Sequence, residues 1–161
     1  WPSRYIPVGG ARRLLAPQSG AMGYGIPAAI AASIAAPGRE VLCFAGDGDF
    51  QMTGMELATA AQTGATPIIL VLANGSYGTI RMHQERHFPA RVSGTDLVNP
   101  DFAALARACG LFGAKVATTA GFAEAYAAAR ASGTAAVLEL DIAVEALTPN
   151  ATLTDIRQSG G

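Results

Sequence analysis

Two short apolar runs, each followed by a glycine-rich polar turn, constrain this chain more than any other feature. Residues 41–45 lead into a Gly-Asp-Gly turn around Asp47, and residues 67–73 lead into a second turn that begins at Asn74. Runs of this length are typical of buried parallel strands. The stretch between them has a helical pattern, and a strand–helix–strand unit predicts a right-handed crossover between parallel strands. We therefore expect Asp47 and Asn74 at the same, carboxyl edge of a sheet, where open α/β sheets bind ligands.

The residue types at this edge point to a metal-bound phosphate. Asp47 offers a carboxylate oxygen and Asn74 an amide oxygen, and the glycines that follow allow a backbone carbonyl to face inward. Mg²⁺ prefers such oxygen ligands and completes its octahedron with phosphates and water. The helix after Gly48 would direct free N–H groups to the same place. The alternative is purely local, with Asp47 capping that helix and Asn74 stabilising a turn.

The spacing of these residues resembles the thiamine-diphosphate motif, in which Gly-Asp-Gly is followed by an Asn at a similar distance. Asp47 and Asn74 are 27 positions apart (74 − 47). The flanking segments SGAMGYGIPAA (residues 19–29), ELATA (56–60) and NGSYGTIR (74–81) are similar to segments of acetolactate synthase and its decarboxylase and lyase relatives. The resemblance covers nearly the whole chain and is to one part of those enzymes, the C-terminal diphosphate-binding domain.

The expected fold is of the α/β class, a three-layer α/β/α sandwich on a mostly parallel central sheet. A chain of 161 residues fits a single domain, and turn formers near its ends predict a lead-in at residues 1–17 and a loosely held tail at residues 148–161. The resemblance implies that the pyrimidine-binding and middle domains of those enzymes are absent from this chain. The sequence opens on Trp1 and Pro2 rather than Met, and we interpret it as an internal part of a longer polypeptide.

The cofactors implied by the resemblance are thiamine diphosphate and Mg²⁺. The metal is assigned to the side chains of Asp47 and Asn74 and to the carbonyl of Ser76. Contacts to the cofactor are assigned to a wider set, which is Gly20, Ala21, Met22, Gly46, Asp47, Gly48, Asp49, Asn74, Ser76, Tyr77, Gly78 and Thr79.

Three of these positions carry more specific expectations. The carbonyl of Gly20 would accept a hydrogen bond from the pyrimidine 4′-amino group, and Met22 would be the soft wedge that keeps the cofactor bent. Ordinary core packing is the alternative role for Met22. Asp49 stands where many relatives have Ser, and a second carboxylate would repel a diphosphate. We therefore expect Asp49 to cap the helix and to bind no metal.

A predicted substrate pocket follows the second turn. Ile80 and His83 match pocket positions of the acetolactate synthases, and His83 replaces the usual Trp there. The resemblance thus leaves the substrate open, and the imidazole would serve as a hydrogen-bond donor or proton shuttle. The order H-Q-E-R-H in residues 83–87 differs from the H-E-x-x-H of a zinc helix. The simpler interpretation of this segment is a solvated, partly helical loop.

The expected function is to bind the Mg-diphosphate end of thiamine diphosphate as the C-terminal part of an acetolactate synthase-like enzyme, a transferase or decarboxylase of 2-oxo acids. One alternative is a benzoylformate decarboxylase-like or aldehyde lyase-like enzyme. Another is a non-catalytic diphosphate-binding or interaction domain. No catalytic residue is expected here, because the family's activating Glu belongs to the pyrimidine-binding domain, and the chain alone should be inactive.

Further elements follow from periodicity and turn signals. Helices are expected at residues 23–36, from Asn99 onward to Gly110, and at residues 121–132. The strands expected after them are residues 115–118 and 136–142. The helix between the first two strands has one candidate buried face, made of Met52, Met55, Leu57, Ala58 and Ala61.

Two of these elements carry side-chain expectations. Ile30 and Ile34 should be buried in the first helix, since they lie one turn apart. In the last strand Glu139 and Asp141 alternate with apolar residues, which predicts an edge strand with one wet face.

Composition limits the partners. The 161 residues carry a formal net charge of −1 and no basic stripe, so nucleic acid is not expected to bind. No stretch approaches the roughly 20 apolar residues of a membrane-spanning helix. Cys43 and Cys109 form no CxxC motif and are interpreted as reduced, buried thiols of a cytoplasmic protein. A 2-oxo acid, the missing pyrimidine-binding domain and a second copy in a homo-oligomer are the expected partners.

Overall fold

The computed structural model describes residues 2–160, which are organised around a four-stranded parallel sheet; Trp1 and Gly161, at the ends of the predicted lead-in and tail, lie outside the described residues. The strands are β1 Leu42–Gly46, β2 Ile68–Ala73, β3 Phe112–Val116 and β4 Ala136–Asp141. Their order is β1-β2-β4-β3, and every neighbouring pair is parallel. All four carboxyl ends therefore lie at one edge of the sheet.

Helices fill the connections between the strands. They are α1 Pro2–Tyr5, α2 Gly25–Ala35, α3 Asp47–Thr53, a 3₁₀ turn Gly54–Glu56, α4 Leu57–Thr63, α5 Gly78–His87, α6 Phe102–Ala108, α7 Thr119–Ala131 and α8 Leu153–Ser159.

The sheet is covered by helices on both faces, which confirms the predicted α/β/α sandwich. One core joins α2, α3, α4 and α6 to one face of the sheet, through residues such as Ile26, Phe50 and Phe102. A second core joins α7 to the other face, through Leu70, Leu138 and their neighbours. Alternate residues of a strand face opposite sides, so β2 contributes Ile69 and Val71 to the first core and Ile68 and Leu70 to the second. This is the layer architecture expected for a parallel sheet.

The β1–β2 unit has the predicted parallel pairing, with Leu42 opposite Ile68. The helix between these strands differs from expectation, because it is broken into α3, the 3₁₀ turn and α4. Its buried face is made of Phe50, Leu57 and Ala60. The predicted face of Met52, Met55, Leu57, Ala58 and Ala61 is therefore wrong apart from Leu57; Met55 is 81% exposed. The break at Gly54 changes the helical phase, which a continuous helical wheel cannot show.

The predicted edge position of the last strand is also wrong. β4 lies between β2 and β3, and Ala136, Val137 and Leu138 are completely buried. Glu139 does not face water, since its carboxylate accepts hydrogen bonds from the first N–H groups of α6, those of Phe102 (2.9 Å) and Ala103 (3.3 Å). An acid in this strand thus satisfies the free donors of a neighbouring helix.

The helices α2 and α6 lie where expected but bury somewhat different residues. In α2 the buried side chains include Ile30, whereas Ile34 is half exposed. α6 is capped by Asp101, whose Oδ1 accepts a hydrogen bond from the N–H of Ala104 at 2.7 Å. Asn99, placed near the cap by the sequence, has a different role that is described below.

The predicted tail contains the helix α8, which packs against the rest of the fold. α8 begins with a capping box between Thr152 and Asp155, and its Leu153 and Ile156 are buried. It packs on α5, where Arg157 donates to the completely buried carboxylate of Glu85. Residues 83–87, interpreted from the sequence as a solvated, partly helical loop, belong to the regular helix α5.

None of the helices within residues 2–160 has the length and hydropathy of a bilayer-spanning segment.

Candidate cofactor-binding site

Asp47 lies at the point where β1 ends and α3 begins, and its side chain is 1% exposed. Its Oδ2 accepts hydrogen bonds from the N–H groups of Asn74 (3.1 Å) and Gly75 (2.7 Å), at the end of the neighbouring strand β2. Its Oδ1 accepts a hydrogen bond from the N–H of Gly48 at 2.9 Å. The predicted proximity of Asp47 and Asn74 is confirmed, and the carboxylate ties the two strand ends together.

The turn after Asn74 is fixed by contacts within the chain. Gly75 has a φ of +68°, a conformation that favours glycine, and the Asn74 Oδ1 accepts from the N–H of Ser76 at 2.9 Å. Ser76 is buried, and its hydroxyl donates to the carbonyl of Thr95 at 3.1 Å. The N–H of Tyr77 donates to the same carbonyl at 2.8 Å. The crossing segment at Thr95 thus holds the backbone around Ser76, the residue whose carbonyl is the predicted third ligand.

Asn99 is a member of this site that the sequence interpretation missed. Its Nδ2 donates to the Asp47 Oδ2 at 2.8 Å, and its Oδ1 accepts from the Nε2 of Gln51 at 2.9 Å. Asn99 is 52 positions from Asp47. Its place before a predicted helix indicated a cap, and no local signal in the sequence indicates a contact with Asp47.

The oxygen atoms of this site fit a hard divalent cation. The Asp47 Oδ1 and the Asn74 Oδ1 each accept one hydrogen bond from the described residues, and an sp² oxygen has a second lone pair. Residues 2–160 contain no group of three or more His, Cys, Asp or Glu side chains arranged to hold a metal. A metal here would depend on one carboxylate, one amide and one carbonyl oxygen, with the remaining ligands supplied by phosphate and water.

Two glycines of the predicted set allow the backbone to pack closely around these oxygens. A Cβ on Gly48 would lie 2.4 Å from a ring carbon of Tyr77. A Cβ on Gly78 would lie 2.6 Å from a methyl group of Leu147 and 3.1 Å from the Asn74 Nδ2. A side chain at either position would displace groups packed next to Asp47 and Asn74, which accounts for glycine at both.

The turn at Gly20–Tyr24 is joined to α3 through Asp49. The N–H of Gly23, which has a φ of +81°, donates to the Asp49 Oδ1, and the hydroxyl of Thr53 donates to the Gly23 carbonyl at 2.9 Å. The expectation that Asp49 caps its own helix is wrong, because Gly46 is the N-cap and no side chain caps it. The Asp49 carboxylate instead fixes the turn that carries Met22, which is 42% exposed.

The predicted pocket residues Ile80 and His83 lie on the exposed surface of α5, in its first two turns. The His83 ring stacks on that of His87, with 6.2 Å between the ring centroids. On the buried side of α5, Arg157 and the N–H of Ala90 hydrogen-bond the carboxylate of Glu85 and lower its pKa to about 2. The contact between Glu85 and Arg157 fixes the position of α5 against α8, and therefore the position of the exposed side chains of α5.

A cavity of about 280 Å³ lies at the opposite, amino edge of the sheet, between residues such as Glu40, Thr66 and Thr134. None of the predicted site residues lines it. The Glu40 carboxylate there is paired with Arg130 at 2.6 Å and accepts a hydrogen bond from Tyr126 at 3.0 Å.

The sequence of this chain is similar to those of known enzymes. Residues 1–140 match the family described as "Thiamine pyrophosphate enzyme, C-terminal TPP binding domain". The chain is 46% identical over 99 residues to an acetolactate synthase of Mycobacterium bovis, which covers 58% of this chain and 16% of that protein. It is 41% identical over 113 residues to the acetolactate synthase large subunit of Lactococcus lactis, covering 69% and 20%.

Two solved structures have the same fold. A thiamine diphosphate-dependent 4-hydroxybenzoylformate decarboxylase of Rhodococcus jostii RHA1 is 34% identical with a TM-score of 0.74, over 79% of this chain and 24% of that one. A benzoylformate decarboxylase of Polynucleobacter necessarius is 29% identical with a TM-score of 0.73, over 79% and 25%. The chain spans a quarter or less of the length of each of these proteins. It belongs to the thiamine pyrophosphate enzymes, as their C-terminal TPP-binding domain.

Proposed function

We propose that this chain binds the diphosphate end of thiamine diphosphate through Mg²⁺, as part of an enzyme that acts on 2-oxo acids. The observation that carries the proposal is the buried carboxylate of Asp47, whose Oδ2 joins the ends of β1 and β2 and whose Oδ1 keeps one lone-pair direction available. The matching family model supports the cofactor, and the oxygen-rich site supports the metal.

The residues that would hold the group divide into three sets. The metal ligands would be the side chains of Asp47 and Asn74 and the carbonyl of Ser76. The diphosphate would be bound by backbone N–H groups in the two turns, and the pyrimidine by the Gly20–Tyr24 turn that Asp49 fixes. The backbone and side-chain contacts assigned to this binding surface are those of Gly20, Ala21, Met22, Gly46, Gly48, Asp49, Tyr77, Gly78 and Thr79. When bound, thiamine diphosphate supplies the electron sink for decarboxylation and carbon–carbon bond formation.

The leading candidate for the whole enzyme is an acetolactate synthase-like carboligase or decarboxylase, since acetolactate synthases are among the relatives in sequence. A benzoylformate decarboxylase-like enzyme is the second candidate, favoured by the two solved structures and by the imidazole of His83 on the surface of α5. Profiling the intact parent enzyme on pyruvate and on benzoylformate separates the two. If the preference is unchanged in His83→Ala, that side chain does not select the substrate.

The remaining expectations belong to the same proposal. The proton-transferring Glu would come from a pyrimidine-binding domain, in the same polypeptide or in a second subunit. The enzyme would be a homo-oligomer, and it would work in the cytoplasm. A domain that binds a diphosphate without catalysis is the third candidate. It would bind thiamine diphosphate and show no turnover in the presence of that partner domain.

The test is calorimetric titration of the parent enzyme with thiamine diphosphate, with and without Mg²⁺. Asp47→Ala should abolish the metal-dependent binding. Asp141→Ala is the matched control, because Asp141 lies exposed at the same edge of the sheet, at the end of β4. Equal binding by Asp47→Ala and wild type would contradict the proposal.

A further inference from the structure

The two oxygens of the Asp47 carboxylate have different environments. Oδ2 accepts three hydrogen bonds, from the N–H groups of Asn74 and Gly75 and from the Nδ2 of Asn99. Within residues 2–160, Oδ1 accepts one hydrogen bond, from the N–H of Gly48. A carboxylate has about two lone-pair directions on each oxygen, so Oδ2 is saturated and Oδ1 keeps one direction available.

Asn99 is the side-chain donor in this arrangement, and its amide must point the right way round. With Nδ2 towards Asp47, the amide donates to the carboxylate. If the amide were flipped, its oxygen would face the carboxylate oxygen and the contact would be repulsive. Gln51 fixes the orientation, because its Nε2 donates to the Asn99 Oδ1 at 2.9 Å.

Gln51 reaches Asn99 because of its position on α3. It lies four residues after Asp47, and residues four apart project from the same side of a helix. Asn99, in the segment before α6, therefore bridges two side chains of one helical turn. The order of contacts runs from the exposed Gln51 through the half-buried Asn99 to the buried carboxylate of Asp47.

We infer that Asn99, oriented by Gln51, is a positioning residue that holds the Asp47 carboxylate so that Oδ1 is presented to the metal. The inference rests on the proposed function in that the metal is the one assigned there. Partners that orient a metal ligand through hydrogen bonds act without touching the metal, and their loss commonly weakens metal binding by about 10- to 100-fold.

The first experiment measures the apparent Mg²⁺ dissociation constant of the parent enzyme by calorimetry at a fixed, saturating concentration of thiamine diphosphate. Asn99→Ala should weaken Mg²⁺ binding about tenfold or more. Gln51→Ala, a change on an exposed side chain, should weaken it less. Gln158→Ala, an exposed glutamine of α8, is the matched control and should leave the constant unchanged.

A double-mutant cycle separates positioning from a general effect on the fold. Because Gln51 acts through Asn99, its substitution should have no further effect in the Asn99→Ala background. If Asn99 had only a structural role, its substitution would change the midpoint of thermal unfolding and leave the Mg²⁺ dissociation constant unchanged. Mg²⁺ binding by Asn99→Ala within twofold of wild type, or full additivity of the two substitutions, overturns the inference.

A second measurement does not depend on the cofactor. NMR measures the rate at which the side-chain amide hydrogens of Asn99 exchange in the parent enzyme, without metal or cofactor. This exchange should become faster in Gln51→Ala and remain as in wild type in Gln158→Ala. Unchanged exchange overturns the role of Gln51. If wild-type enzyme shows no Mg²⁺-dependent binding, the proposed function fails. Faster exchange in Gln51→Ala would then show only that the hydrogen bonds from Gln51 to Asn99 and from Asn99 to Asp47 are a structural feature.

Discussion

Replacing Glu85 by Gln should destabilise the chain through the contact between α5 and α8. Glu85 is completely buried on α5, and Arg157 of α8 donates to both of its carboxylate oxygens, through Nε at 2.9 Å and through Nη2. The N–H of Ala90 adds a third hydrogen bond at 3.0 Å. The substitution removes the negative charge and leaves the guanidinium without its partner.

The magnitude follows from the pKa of Glu85, which these contacts lower from 4.5 to about 2. Each unit of pKa corresponds to about 1.4 kcal/mol, so the ionised form contributes about 3 kcal/mol to the free energy of unfolding at pH 7. The side chain of Arg157 is 39% exposed, so water can solvate it after the substitution. We therefore expect Glu85→Gln to lower the free energy of unfolding by about 2–3 kcal/mol, below the ~3–5 kcal/mol typical of a fully buried pair.

The effect should depend on pH in a defined direction. Because the pKa is lower in the folded state, the contribution is fully present above pH 4.5 and is lost as the pH falls towards 2. At pH 3 the contribution of the ionised form falls to about 1 kcal/mol by the same relation. The difference between wild type and Glu85→Gln should therefore shrink by about 2 kcal/mol between pH 7 and pH 3.

Urea unfolding of wild type and Glu85→Gln at both pH values measures these differences. Glu124→Gln, on the exposed surface of α7, is the matched control and should behave as wild type at both. The reasoning would be refuted if Glu85→Gln lost less than about 0.5 kcal/mol at pH 7, the range of an ordinary surface substitution. A loss that was the same at pH 7 and pH 3 would refute the assigned electrostatic cause.

Three further predictions follow from single positions. Gly113→Ala should cost about 3 kcal/mol or more in chemical denaturation, because its Cβ would lie 2.1 Å from the backbone oxygen of Ala103; wild-type stability would contradict the close packing of β3 on α6. Burial raises the pKa of the Cys43 thiol to about 12, so an alkylating reagent at pH 8 should label the less buried Cys109 first, as mass spectrometry of the labelled peptides would show. Asp49→Ser should speed hydrogen exchange of the amide it binds in the preceding turn, and should leave cofactor affinity within tenfold of wild type.

The parts of the fold that the sequence predicts are those set by local pattern. The runs that became β1 and β2 are apolar and end at glycine-rich turns, so both their type and their parallel pairing follow from the sequence. The proximity of Asp47 and Asn74 is then a consequence of topology alone. The oxygen groups at these two positions are the basis of the proposed metal site, which stays a prediction.

The parts that the sequence does not predict depend on long-range contacts. Asn99 reaches Asp47 across 52 positions, and the same residue before a helix indicates a cap on local grounds. Glu139 looks like a solvent-facing residue of an edge strand, and only the position of α6 above β4 gives its carboxylate a buried partner. The break of the helix at Gly54 likewise shifts the buried face in a way that periodicity in a single window cannot detect.

The tail illustrates a third limit. The turn formers after Thr148 indicate a loosely held segment, yet Arg157 finds its partner in Glu85, 72 positions earlier. The ion pair between Arg157 of α8 and Glu85 of α5 holds this segment against the fold. Composition alone does not reveal a pair between residues so far apart in the sequence.

The central claim is that Asp47, Asn74 and Ser76 hold the metal of the cofactor. Anomalous diffraction from crystals of the parent enzyme grown with thiamine diphosphate and Mn²⁺ tests it most directly, since Mn²⁺ takes the same oxygen ligands as Mg²⁺ and can be located by its scattering. We expect one strong peak bound by the Asp47 Oδ1, the Asn74 Oδ1 and the Ser76 carbonyl, with the diphosphate on its other side. A peak elsewhere, for example on His83 and His87, or a cofactor bound without contact to Asp47, would contradict it.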